Sequence, residues 1–202
     1  MKYKNKKGFI DFIKNNPVIN NEYDDLMAFI GAYFSSNELS DWLKTPGMDA
    51  KFSIPYNRIL LSTVTHQKPF EFNYILSGLF DKLKPNDYMP ALLFAIKYNY
   101  SDMAVKILDL PYFNQDSDTH KNLAKILNQL DKNKIPALYY GIKNKNLELV
   151  KKLLQKGASE TTLKKFGKNI LHLFSEAGSI EGVEFCLENK VSLFSKDNDG
   201  NT

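Results

Sequence analysis

The stretch NILHLFSEAGSIEGVEFCLENKV, residues 169–191, decides the fold because an earlier stretch repeats its pattern. Residues 136–158, PALYYGIKNKNLELVKKLLQKGA, align with it at a shift of 33 positions, so that Leu154 falls on Leu187. Most apolar positions coincide under this shift, and an acidic residue recurs at one site. A fixed period of this length is typical of proteins that stack copies of one small helical unit.

A third copy, PALLFAIKYNYSDMAVKIL at residues 90–108, precedes these two at a shift of 46 positions. The longer shift indicates an insertion, and residues 118–134 supply it. Their apolar residues have the i, i+3, i+4, i+7 spacing of one helical face: Leu123, Ile126, Leu127 and Leu130. We therefore predict about three copies within residues 89–202, with an inserted helix near residues 118–134.

Each copy predicts a short helix, a polar turn and a longer helix. In the second copy the helices cover residues 137–143 and 147–154, and Gly157 follows as a stop signal. Each helix pair has an apolar face that it cannot bury alone, so the copies are expected to stack.

The period and its motifs resemble the ankyrin repeat. Leu171-His172-Leu173 stands where that family has Leu-His-Leu, and Gly178 occupies the turn. Residues 196–202, KDNDGNT, look like the hairpin that opens a further repeat. The resemblance implies an all-α, ankyrin-type helix-turn-helix repeat solenoid with short β-hairpin loops. It also leads us to expect that the array continues beyond residue 202.

Residues 1–88 are predicted to form a divergent helical N-terminal region. Its pattern indicates helices at residues 8–16, 23–34, 37–43, 57–65 and 70–83. Ser36 or Asn37 is expected to cap the third of these, and Phe70, Phe72 and Phe80 are expected in the core. Two interpretations stay open: degenerate repeats, or a separate helical cap.

The charge of the chain comes almost wholly from lysine. The formal net charge is +4, and Arg58 is the only arginine. Specific recognition of nucleic acid favours the bidentate guanidinium of arginine, so no nucleic-acid partner is expected. The longest apolar run, residues 26–34, is far below the roughly 20 residues of a membrane span, so none is expected.

One cysteine among 202 residues cannot form an internal disulfide, which fits a cytoplasmic protein. Divergent ankyrin proteins of this composition also resemble effectors that intracellular bacteria deliver into host cells. Translocation into a host cell is therefore a second hypothesis for its location.

The reactive side chains are predicted to be structural. The repeat register places Cys186 opposite core positions, and the resemblance implies that His172 braces the neighbouring loop. His66 and His120 have no second metal ligand at helical or hairpin spacing. We predict no catalytic residue, no metal, no cofactor and no enzymatic activity for this segment.

By resemblance, a protein partner with an acidic surface would bind the concave face and the hairpin tips of a monomer. The residues at those positions are Lys97, Tyr98, Lys143, Asn144, Lys164, Lys165, Phe166, Lys168 and Glu176. Two alternatives stay open. The segment could be the non-catalytic targeting region of a larger enzyme whose catalytic domain lies downstream. Its lysine-rich face could instead bind an anionic ligand, such as a phosphoinositide or nucleic acid.

Overall fold

The computed structural model describes residues 30–44, 56–78, 82–113 and 118–202, and these ranges contain helices but no β-strand. The predicted all-α class is therefore confirmed for them. The helices are α1 (Ser36–Leu43), α2 (Tyr56–Thr65), α3 (Pro69–Gly78), α4 (Met89–Lys97), α5 (Ser101–Leu108), α6 (Asp118–Leu127), α7 (Ala137–Lys143), α8 (Leu147–Gln155), α9 (Ile170–Ala177) and α10 (Ile180–Glu188). Short 3-10 helices cover Pro85–Tyr88, Pro111–Phe113 and Glu160–Phe166. The chain divides into two compact units, Met1–Ala91 and Leu92–Thr202.

The first unit is held by apolar side chains of α2 and α3. Ile59, Leu60 and Ile75 are fully buried, and Phe72 is 1% exposed. Phe70, in contrast, is 77% exposed, so its predicted core position is wrong. The predicted helix at residues 8–16, most of that at 23–34, and Phe80 lie outside the described residues.

Helix α1 begins one residue earlier than the sequence pattern indicated. Ser35, rather than Ser36 or Asn37, caps it: the Glu38 N–H donates to Ser35 Oγ at 3.4 Å. In return, the Ser35 N–H donates to the Glu38 carboxylate at 2.8 Å. This reciprocal pair is a capping box, which satisfies two donors at the helix start.

In the second unit the helix pairs recur at the predicted spacing. Helices α9 and α10 begin 33 positions after α7 and α8, respectively. Residues with positive φ recur at the same shift. They form three sets: Lys134, Gly167 and Gly200; Lys145 and Gly178; and Gly157 and Lys190. Positive φ is uncommon outside glycine, so its recurrence indicates that the chain turns at equivalent positions in these segments.

In the pair formed by α9 and α10, a small residue of one helix faces a large residue of the other. Helix α9 carries the fully buried Phe174, and its ring lies against Gly182 of α10, where an added Cβ would come within 2.1 Å of it. The register equivalents are Gly141 with Leu149, and Ala95 with Met103. In the earlier copies the larger residue of these two positions therefore belongs to the second helix.

Two loops of the second unit are organised by an aspartate. Asp131 Oδ1 accepts the N–H groups of Asn133 and Ile135 at 2.8 and 2.9 Å, and Leu130 forms an isolated antiparallel bridge with Pro136. Sixty-six positions later, two periods on, an aspartate builds the same loop. Asp197 Oδ1 accepts the N–H groups of Asp199 and Asn201 at 2.9 and 2.8 Å.

The loop between α8 and α9 differs from the β-hairpin that was predicted. It forms the 3-10 helix Glu160–Phe166, with Ser159 Oγ accepting the Thr161 N–H at its start. Lys164 occupies the register position of the two loop aspartates, so the side-chain acceptor that organises their turns is missing. The prediction that Phe166 lies at a hairpin tip is therefore wrong.

Helix α6 occupies part of the segment predicted as an insertion. Leu123 and Leu127 are buried, which fits the apolar face. Leu130 lies beyond the helix end and is 45% exposed, because the chain has already entered the Asp131 loop.

Candidate functional site

An aromatic stack joins the 3-10 helix to α7. The ring of Phe166, the last residue of the 3-10 helix, stacks on Tyr139, with centroids 4.6 Å apart and an angle of 26° between the planes. The left-handed turn at Gly167 ends the 3-10 helix at this point. Both rings are half-buried, so part of each faces solvent.

Two lysines lie against this stack. Lys143 Nζ is 5.7 Å from the centroid of Tyr139, one helical turn earlier on α7. Lys165 Nζ is 4.5 Å from the centroid of Phe166. Cation–π attraction at exposed sites is worth about 0.5–1 kcal/mol, and it stabilises both ammonium groups in their positions near the rings.

Glu176 links the stack to a third lysine. Its carboxylate lies 3.6 Å from Lys143 Nζ and forms an ion pair with Lys168. The hydrogen bond from Lys168 and the charge of Lys143 hold the pKa of Glu176 below its ordinary value. The pKa of Lys168 is correspondingly raised by its hydrogen bond to Glu176. We call the set Tyr139, Lys143, Lys165, Phe166, Lys168 and Glu176 the lysine–aromatic face.

Lys97 belongs to a neighbouring cluster. Its Nζ lies 5.2 Å from the Tyr140 ring centroid and 3.6 Å from Asp131, and the Tyr140 hydroxyl donates to Asp131 at 2.7 Å. Hydrogen bonding to Tyr140 and the charge of Asp131 raise the pKa of Lys97. Burial tends to raise the pKa of Asp131, but the donors at Ile135, Tyr140 and Asn133 outweigh it and lower that pKa.

The other predicted contact residues have different settings. Asn144 Nδ2 donates to the carbonyl oxygens of Ile96 and Lys97 at 3.2 and 3.4 Å, which satisfies acceptors near the end of α4. Tyr98 is 52% exposed and packs on Phe94 with centroids 4.4 Å apart. Lys164 is exposed. The structure therefore brings together five of the nine predicted residues. The Asn144 amide instead forms hydrogen bonds within the chain.

Sequence reasoning missed Tyr139, Tyr140 and Asp131 as members of these clusters. The i, i+4 spacing of Tyr139 and Lys143 was a usable signal, because residues four apart are neighbours on a helix. The stack of Tyr139 on Phe166 had no such signal. It depends on how the 3-10 helix packs against α7.

The two reactive side chains of α9 and α10 have structural settings, as predicted. Cys186 is fully buried, and burial raises its thiol pKa to about 11. A thiol with so high a pKa is a poor nucleophile at neutral pH. His172 Nε2 lies 3.2 Å from the carbonyl oxygen of Asn201, so the ring contacts the Asp197 loop.

Replacement of the thiol should therefore have little effect. We expect Cys186→Val to change the free energy of unfolding by about 1 kcal/mol or less, as near-isosteric core changes do. Urea denaturation followed by circular dichroism measures it. If a folded Cys186→Val protein lost partner binding, the structural role of this thiol would be refuted.

Metal and membrane features are absent from the described part of the chain. Within it, no group of three histidine, cysteine or acidic side chains is placed to hold a metal ion. His66 Nδ1 lies 2.9 Å from the Ser62 carbonyl oxygen of its own helix, and the His120 side chain lies outside the described residues. None of the described helices combines the length and apolar character that a membrane span requires.

In the described ranges, these features amount to paired helices with a mixed lysine and aromatic surface. Among curated proteins, the chain is similar to the NAD-dependent deacetylase sir2B of Dictyostelium discoideum, with 26% identity over 123 residues. The match covers 60% of this chain and 15% of that protein, so the chain spans a small part of that relative. No protein-family model matches the chain, and no solved structure matches it.

Proposed function

We propose that the chain is an ankyrin-type repeat scaffold that binds a protein partner through the lysine–aromatic face. The 33-residue recurrence of helix starts and left-handed turns supports a stack of like units over residues 89–202. Residues 1–88 are its helical N-terminal region. The scaffold has no catalytic role of its own and acts as a monomer in the cytoplasm, or in a host cell if it is a translocated effector.

The observation that carries this proposal is the composition of the face. It combines stacked, partly exposed rings with three lysines, which come from α7, the 3-10 helix and the loop before α9. Aromatic side chains are enriched among the residues that dominate binding energy at protein interfaces. The surrounding ammonium groups favour an acidic partner through charge complementarity.

Affinity capture from native cell extract tests the proposal. The variant Lys143→Gln, Lys165→Gln, Phe166→Ser removes two cations and one ring of the face. We expect its specific partner signal to fall at least about tenfold, because loss of one aromatic anchor alone can exceed 1 kcal/mol. Quantitative mass spectrometry of the captured proteins measures the fall.

A matched control makes the same chemical changes elsewhere. Lys125, Lys190 and Phe194 are exposed and lie outside the face, so Lys125→Gln, Lys190→Gln, Phe194→Ser should leave the partner signal unchanged. Equal partner profiles for both triple variants would refute binding through this face. Capture that disappears with modest salt for any polyanion would favour an anionic ligand instead.

A second candidate function is a targeting region within a larger enzyme. The similarity to a part of a deacetylase that is far longer than this chain favours it. Sequencing the native transcript tests it directly. A reading frame that continues into a catalytic domain would support this candidate, and a stop codon after residue 202 would exclude it.

A further inference from the structure

We propose that the lysine–aromatic face selects an acidic peptide segment with an apolar residue between its carboxylates, and that Glu176 limits the affinity. This inference rests on the proposed function and names the chemistry of the partner.

The stack provides the apolar part of the site. Tyr139 and Phe166 lie nearly parallel, and both remain half-exposed. A partner side chain that covers the exposed parts of these rings removes them from water, which favours an apolar or aromatic residue.

The lysines provide the charged part. Lys143 and Lys165 approach different rings of the stack, so each ring has a cation beside it. The side chain of Lys143 is 38% exposed, which leaves its ammonium accessible to a partner carboxylate. A peptide with carboxylates on both sides of its apolar residue matches this arrangement.

Glu176 makes the face selective. Its register equivalents in the earlier copies are Lys97 and Lys143, so the third copy reverses the charge at this position. The Glu176 carboxylate already pairs with Lys143 and Lys168, and it would repel a continuous chain of phosphates. A single carboxylate of the partner can replace the Glu176 carboxylate beside Lys143. Glu176 therefore competes with the partner for this lysine.

Fluorescence anisotropy with the full chain tests the inference. The probe is a labelled peptide that carries glutamates on both sides of a central phenylalanine. The comparison probes are the same peptide with alanine for phenylalanine, the same peptide with lysines for glutamates, and single-stranded oligothymidine. We expect the first probe to bind most tightly and the lysine peptide not to bind.

Glu176→Gln removes the competing charge and nearly keeps the side-chain shape. We expect it to tighten binding of the glutamate–phenylalanine probe about threefold, which is the scale of one exposed ion pair. Glu184→Gln is the matched control, because Glu184 is an exposed carboxylate outside the face. It changes the net charge equally and should leave the affinity unchanged. Equal thermal unfolding of the two variants shows that both remain folded.

The outcomes separate the inference from the proposed function. Weaker or unchanged binding by Glu176→Gln, or oligothymidine binding as tight as that of the peptide, would overturn the inference. If the peptide fails to bind but the face triple variant still loses its captured partner, the inference fails and the scaffold proposal stands. If the triple variant also keeps its partner, both fail.

Discussion

Gly182→Met is expected to lower the free energy of unfolding by about 3 kcal/mol, at the upper end of what overpacking of a core costs. A Cβ at this position would come within 2.1 Å of the Phe174 ring. Phe174 is fully buried, and protein interiors are close-packed, so moving its ring would disturb other core side chains. Urea denaturation followed by circular dichroism measures the loss. Glu181→Met, at the neighbouring exposed position, should change the free energy of unfolding by no more than about 0.5 kcal/mol.

The same contact predicts a rescue. Phe174→Ala combined with Gly182→Met gives this pair the residue types of the first copy, Ala95 and Met103. The large side chain then comes from the second helix, and the first helix makes room for it. We expect a favourable coupling of at least about 1.5 kcal/mol between the two changes, within the range for residues in contact. Strictly additive effects would show that the copies do not share this packing.

Asp131→Ala is expected to lower the free energy of unfolding by about 2 kcal/mol. The change leaves the N–H groups of Asn133 and Ile135 without their acceptor and removes the partner of the Tyr140 hydroxyl. Asp131→Asn keeps an oxygen at the Oδ1 position, so its loss should be about half as large. Equal losses for the two variants would show that the loop hydrogen bonds contribute nothing.

Asp197→Ala provides the internal comparison for the loop. The same two backbone hydrogen bonds are removed, but residues around Asp197 are largely exposed and water can replace the carboxylate. The loss should therefore be smaller than at Asp131.

The stabilisation by Asp131 should also depend on pH. Its pKa is lowered in the folded chain, so its contribution is complete above the unfolded pKa of about 4 and is lost as pH falls through the folded pKa. The difference in stability between the wild type and Asp131→Asn should accordingly shrink below about pH 4. A difference that stays constant down to pH 2 would contradict the lowered pKa.

Helix positions in the second unit were predictable because local rules and tertiary packing agree there. The apolar period predicted both ends of α7 correctly and the end of α8 to within one residue. Gly157, at φ +94°, has the left-handed conformation that a helix stop requires. Burial of Cys186 followed from its register, because equivalent positions in stacked units have equivalent neighbours.

The errors arose where one residue or one tertiary contact decides the structure. The predicted hairpin at residues 160–166 is a 3-10 helix, and Lys164 there lacks the acceptor that an aspartate supplies to the other two loops. Phe70 fits an apolar pattern but lies on the outside of its helix. The pairing of Tyr139 with Phe166 joins residues from different segments, and no local spacing indicates it.

Hydrogen–deuterium exchange shows directly whether a protein partner binds the lysine–aromatic face. The measurement compares the free chain with the chain bound to a purified partner from the capture experiment. We expect the partner to slow exchange mainly in residues 139–143 and 164–168, which carry the stacked rings and their lysines. Protection confined to α8 and α10, with no change in those two segments, would contradict binding through this face.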